Sequence, residues 1–151
     1  MASGKGAAVL VRMKLSRILI RELTDYQLIE LREALEADQA GTREPRSFPI
    51  VIGLPEAQAI ERRLQGTPLT RPQTHDLLAN VIESMGGRIE RIAITSLSGH
   101  TFFAELTVGL ESGESLGIDC RPSDAIALGV ATSAPIFVEE TVLESASRED
   151  A

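Results

Sequence analysis

Between Gly87 and Cys120 the chain lays out three β-rich runs, Ile89 to Leu97, Thr101 to Leu110 and Leu116 to Cys120, with only Ser98-Gly99 and Ser112-Gly113 as turn chemistry between them. Connections that short leave no room for a crossover helix, so the three runs must pair as an antiparallel meander. Helical periodicity lies elsewhere. Pro55 opens a run to about Gln65 with Ala57, Ile60 and Leu64 on one face, and Gly66 stops it. Thr74 stands at the expected N-cap of a second run, whose apolar face is Leu77, Leu78, Val81, Ile82 and Met85. Ser123 stands likewise before a third run ending near Ala131. Strands grouped apart from helices define an α+β fold: a single compact domain with a mixed, mostly antiparallel sheet and about three helices.

The flanking segments add strands and one ambiguity. Val9, Val11, Met13 and Leu15 alternate with polar or outward positions before the apolar parity shifts to Ile18 and Ile20, which predicts one long strand with a bulge near Ser16-Arg17. An alternating strand of that length with a free edge calls for cover, and a symmetric homo-oligomer, most simply a dimer, supplies it. Thr24-Asp25-Tyr26-Gln27 has capping-box spacing and precedes Leu28, Leu31 and Leu35, so local rules predict a helix over 26–38. Phe48 to Ile52 and Pro135 to Val138 read as short strands. The expected organisation is a disordered tail over 1–8, one domain over 9–143 and an acidic tail over 144–151.

Charge and composition narrow the function. The 151 residues carry a net charge of −7, which opposes strong general affinity for nucleic acid. The distribution softens this: residues 1–21 hold Lys5, Arg12, Lys14, Arg17 and Arg21 and no acid, so a local, weak and salt-sensitive contact with phosphates stays open. One tyrosine, four phenylalanines and no tryptophan give little material for a platform that stacks many bases. No apolar stretch approaches the roughly 18 residues of a membrane span. A lone cysteine, Cys120, excludes an intramolecular disulfide and a cysteine-rich zinc site, and the cytoplasm is the expected compartment. The G-x-G-x-x-G, G-x-x-x-x-G-K-[ST], H-E-x-x-H and G-x-S-x-G patterns are all missing from the sequence.

Two stretches share a grammar: Arg71-Pro72-Gln73-Thr74-His75-Asp76 and Arg121-Pro122-Ser123-Asp124. Capping accounts for Thr74, Asp76, Ser123 and Asp124, since hydroxyls and carboxylates satisfy helix N-termini. It does not require Arg71, Arg121 or His75. A guanidinium beside a helix N-terminus suits a phosphate, and a histidine in the same turn is a base or a metal ligand at neutral pH. Ion pairs between these arginines and aspartates, within a motif or across motifs, explain the arginines equally well. With Asp119 ahead of the second motif, Asp119, Asp124 and Asp76 are candidate oxygen ligands for Mg²⁺ or Mn²⁺. Glu56 reads as a surface acid at a helix start, His100 as a solvated turn residue and Cys120 as a packed thiol.

Phe48-Pro49-Ile50-Val51-Ile52-Gly53, the Arg71 to Leu78 motif, Thr101-Phe102-Phe103-Ala104, Asp119 to Leu128 and Pro135-Ile136-Phe137-Val138 together make the chain resemble the bifunctional nuclease family over about residues 12 to 143. The resemblance implies degradation of both RNA and DNA. It also implies a strand at about 26–33 in place of the local helix, and here a longer, acidic connection from Glu33 to Pro45 follows it. The roles assigned to the residues follow from their chemistry: His75 activates water or binds metal, Asp76, Asp119 and Asp124 hold a divalent ion, and Arg71 and Arg121 stabilise phosphate charge. The rival is a non-catalytic oligomeric binding or regulatory module in which the same groups are caps and ion pairs.

Overall fold

The computed structural model describes residues 8–21 and 23–149. Apart from Ala8, the tail expected over residues 1–8 lies outside them. Strand β1 (Leu10–Leu19) pairs antiparallel with β2 (Gln27–Glu33), and the register shifts between Leu15 and Arg17, where the bulge was expected. No helix forms over 26–38. In β2 the residues Gln27, Ile29, Leu31 and Glu33 are buried, and the strand pairs on its other side with β3 (Ser47–Ile52). Ladders on both flanks and an inward apolar row outweigh a helical propensity that only local spacing supports.

Helices α1 (Leu54–Gln65) and α2 (Thr74–Ser84) follow, then β4 (Gly87–Ser98), β5 (Thr101–Leu110) and β6 (Ser115–Cys120) as the antiparallel meander. Helix α3 (Pro122–Thr132), strand β7 (Ile136–Glu139) and helix α4 (Glu140–Glu149) complete the described residues. Strand β7 lies antiparallel beside β1 and parallel beside β4, so it joins the two antiparallel halves into one seven-stranded sheet of order β3-β2-β1-β7-β4-β5-β6. β1 is therefore an interior strand, and the free edges belong to β3 and β6. The edge argument for an oligomer does not hold at β1. The sheet curls strongly enough that Phe48 of β3 stacks on Phe102 of β5 at 5.3 Å between ring centroids, although four strands stand between theirs in the order.

Helix α3 is buried almost all round, from Pro122 and Ser123 through Gly129. Its small residues permit this: a Cβ at Gly129 would run into the Ile92 side chain of β4. Four helices are present among the described residues where about three were expected. The extra one is α4, which takes up residues 144–149 of the expected acidic tail. Val142, Leu143 and Ala146 recur at helical spacing and are buried, Glu144 is exposed, and Arg46 grips Glu140 at 2.6 Å. Arg46 also joins Arg43 around the buried Glu33 carboxylate, at 2.8 to 3.1 Å. Among the described residues no helix is long and apolar enough to cross a membrane.

Candidate active site

Each helix-starting motif places its cap one or two residues earlier than hydroxyl preference suggests. In α2 the N-cap is Gln73, whose extended backbone precedes the first turn, and whose N–H donates to Asp76 Oδ2 at 3.0 Å. Thr74 is thus the first helical residue and not the cap. In α3 the N-cap is Arg121, because Pro122 is best tolerated at the first helical position, and Ser123 is already inside the helix and buried. Both shifts matter for geometry. They put His75 in the first turn of α2 and Asp124 in the first turn of α3, on neighbouring helices.

His75 Nε2 lies 2.8 Å from Asp124 Oδ1, a link across 49 residues that ties the two motifs together. The other carboxylate oxygen, Asp124 Oδ2, accepts from Arg121 Nε at 2.9 Å and from Nη2 at 2.8 Å. Arg121 Nη1 stands 3.6 Å from Glu56 Oε1 at the start of α1. In the tautomer that donates Nε2–H to Asp124, the imidazole lone pair is on Nδ1, which makes no protein hydrogen bond among the described residues. These groups line an open cleft of about 690 Å³ formed by α1, α2, α3 and β6. Asp119 and Cys120 reach the same cleft from the end of β6. Burial, followed by the Asp119 and Asp124 charges, pushes the Cys120 thiol up to about 11, so it is a neutral thiol at physiological pH and no nucleophile.

Asp76 is engaged elsewhere. Its Oδ1 takes Arg63 Nη2 at 2.6 Å, and Arg63 is almost wholly buried. Burial works against the Asp76 charge, yet the Gln73 N–H and the Arg63 guanidinium outweigh it and hold the carboxyl below the usual range. Arg71, the expected partner in phosphate binding, is exposed in the connection between α1 and α2 and does not line the cleft. Arg62 of α1 does line it, with a buried Nε that has no hydrogen-bond partner. Sequence reasoning passed over Arg62 and Arg63, which look like ordinary basic residues at a helix C-terminus. Their signal was the pairing itself: two adjacent arginines on a helix point about 100° apart, so one reaches the α2 start when the other does not.

A divalent ion does not fit these side chains as they stand. Both Asp124 oxygens are occupied by donors, and the described residues contain no group of three or more His, Cys, Asp or Glu side chains able to hold a metal. Asp119 remains the one expected ligand that lines the cleft without a side-chain hydrogen bond of its own among the described residues.

Comparison with known proteins agrees with the motifs. The family model of the bifunctional nuclease domain matches residues 39–150, and the chain belongs to that family. It is 38% identical over 101 residues to an uncharacterized protein found in two strains of Mycobacterium tuberculosis, a match covering 67% of this chain and 59% of those proteins. The chain thus spans about three-fifths of the length of these curated relatives. It is 23% identical over 95 residues to Bifunctional nuclease 2 of Arabidopsis thaliana, covering 62% of this chain and 29% of that protein.

Proposed function

We propose that the protein is a nuclease that hydrolyses phosphodiester bonds of RNA and DNA with little base specificity, using the His75–Asp124 pair as its general base. The observation that carries the reading is the 2.8 Å contact between His75 Nε2 and Asp124 Oδ1 at the wall of an open cleft, with Arg121 on the second carboxylate oxygen. Asp124 fixes the tautomer and steadies the imidazolium that forms when Nδ1 takes a proton. That proton comes from the attacking oxygen, a ribose hydroxyl in RNA or a water in DNA. As this oxygen bonds to phosphorus, the P–O bond to the departing nucleoside breaks, and the leaving oxygen takes a proton from solvent. Arg121 and Arg62 face the charge that builds on the non-bridging oxygens. Asp76 is a positioning residue: by holding Arg63 and the Gln73 N–H it fixes the α2 start, and with it His75.

This reading takes no step through a metal. Membership of the bifunctional nuclease domain family and the likeness to Bifunctional nuclease 2 support nucleic acid as the substrate. Highly purified protein should cleave single-stranded RNA and DNA, with activity that survives a chelator and falls steeply with salt. Cleavage abolished by chelator and restored by Mg²⁺ or Mn²⁺ would put an ion at Asp119 and Asp124 and displace the base mechanism. No cleavage under any condition would leave a binding module.

Assembly moves with the corrected topology. The expected dimer suits the side of α2 that leaves Leu77, Val81 and Met85 exposed outside the cleft.

A further inference from the structure

A second cavity of about 900 Å³ shares Arg121 with the candidate active site. It exists because the sheet curls. The edge strand β3 comes round to the β4–β5 turn, the Phe102 ring, stacked on the buried Phe48, closes one side, and a groove remains along the seam. Its apolar surface comes from Ile50, Ile52 and Leu97, and Tyr26, Phe102 and His100 bring three flat rings to it. Three features set these rings apart from incidental surface residues.

First, Tyr26 is half exposed but its loop is pinned. The buried Gln27 amide donates to Arg21 O at 2.9 Å and Thr24 O at 3.2 Å, its oxygen accepts the Arg21 N–H, and the Thr24 hydroxyl donates to Tyr26 O at 2.8 Å. A buried glutamine spent on the turn before β2 fixes where the ring starts. Second, His100 is one of only two non-glycine residues with positive φ among the described residues, at +67°, directly after Gly99 at +55°. Glycine suits that second turn position better, so the imidazole is carried there at a conformational cost that its place at the groove repays. Third, the lining carries both charges: Asp25 repels phosphate, whereas Arg121, shared with the candidate active site, attracts it.

We propose that this groove is a nucleobase subsite. When a phosphodiester lies at His75, Asp124 and Arg121, the neighbouring nucleoside passes over Arg121 and its base lies against Tyr26 and His100 on the apolar floor. Asp25 there is an acceptor for N–H groups on a base edge. A base paired in a duplex enters only after unpairing and unstacking, which a single strand does not have to do, so the favoured substrate class is single-stranded nucleic acid. One pocket of this kind adds affinity without reading a sequence, consistent with few aromatics in all. The proposal rests on the nuclease reading for the orientation of the strand, and its test measures binding without turnover so that the two can fail separately.

Fluorescence anisotropy compares a labelled single-stranded hexathymidylate with an abasic strand carrying the same phosphates, at low salt. Wild-type protein should favour the thymidylate by about five-fold or more, the effect of one stacked base. Tyr26→Ala and His100→Gly should each bring thymidylate affinity toward that of the abasic strand. Equal binding of both strands by wild-type protein, no binding of either, or a preference that survives both substitutions would overturn the subsite. If either substitution instead halves the mass of an assembly in light scattering, the groove is a contact between copies and the proposal fails. Hydrolysis of bis(p-nitrophenyl) phosphate by wild-type protein and its loss in His75→Ala report on the nuclease reading alone.

Discussion

Asp76→Ala separates a positioning role from a chemical one. The Arg63 side chain is 8% exposed, its Nε has no partner, and its Nη1 reaches Leu128 O only at 3.5 Å, so Asp76 is its main counter-charge. Removing one member of a buried ion pair costs about 3–5 kcal/mol, and the lower end applies because Asp76 retains some access to water. The Gln73 N–H loses its acceptor as well, worth about 1 kcal/mol. The sum, about 4 kcal/mol, corresponds to a fall in melting temperature of about 8–16 °C for a domain of this size. Urea unfolding and thermal melts followed by circular dichroism measure it directly. The double variant Arg63→Met/Asp76→Ala leaves no unpaired charge and should recover most of the loss. A single variant within about 1 kcal/mol of wild type, or a double variant no better than the single, would refute the assignment of Asp76 to Arg63.

Acid stability follows from Glu33. The Arg43 guanidinium first, and then Arg46, hold its carboxyl far below the usual range against the pull of burial. A depressed folded value means that this stabilisation is complete above the ordinary value of 4.5 and is lost as pH falls below it. Wild-type protein should therefore lose more stability than Glu33→Gln between pH 6 and about pH 2, and parallel losses in melts across that range would contradict the linkage. For assembly, light scattering should give about twice the 16.3 kDa chain mass, and Val81→Asp should return it to the monomer; an unchanged mass in the variant would remove α2 from the interface.

Strand and helix order was legible wherever the apolar period was long and its turns carried glycine. The meander, α1 stopped by Gly66 in the left-handed region, and the bulge after Leu15 all stand where the pattern puts them. Residues 26–33 were not legible locally, because Leu28 and Leu31 have helical spacing while Ile29 and Leu31 have strand spacing, and only the ladders to β1 and β3 decide. Helix α4 was hidden by its acids, which suggest a solvated tail until Val142, Leu143 and Ala146 find the sheet to cover. In the site, residue types were readable and partners were not. His75, Asp124 and Arg121 converge, but the shared Arg-Pro grammar made Arg71 and Asp76 look equivalent to Arg121 and Asp124. What breaks that symmetry is Arg63, which arrives from α1 through tertiary packing alone. The cap positions did carry a signal: an acid three residues beyond Gln73, and a proline immediately after Arg121.

The claim that His75 and Asp124 act as a chemical pair is tested most directly by the turnover of a labelled single-stranded RNA by wild type, His75→Ala and Asp124→Asn, each with its melting curve. Asp124 meets Arg121 near the surface, where such pairs contribute about 1 kcal/mol or less, so Asp124→Asn should melt within about 4 °C of wild type. Turnover should fall by about a hundred-fold or more in each, the scale of a lost general base. Variants that cleave at the wild-type rate, or that lose activity only in step with their melting temperature, would show that the pair holds the two helices together and does no chemistry.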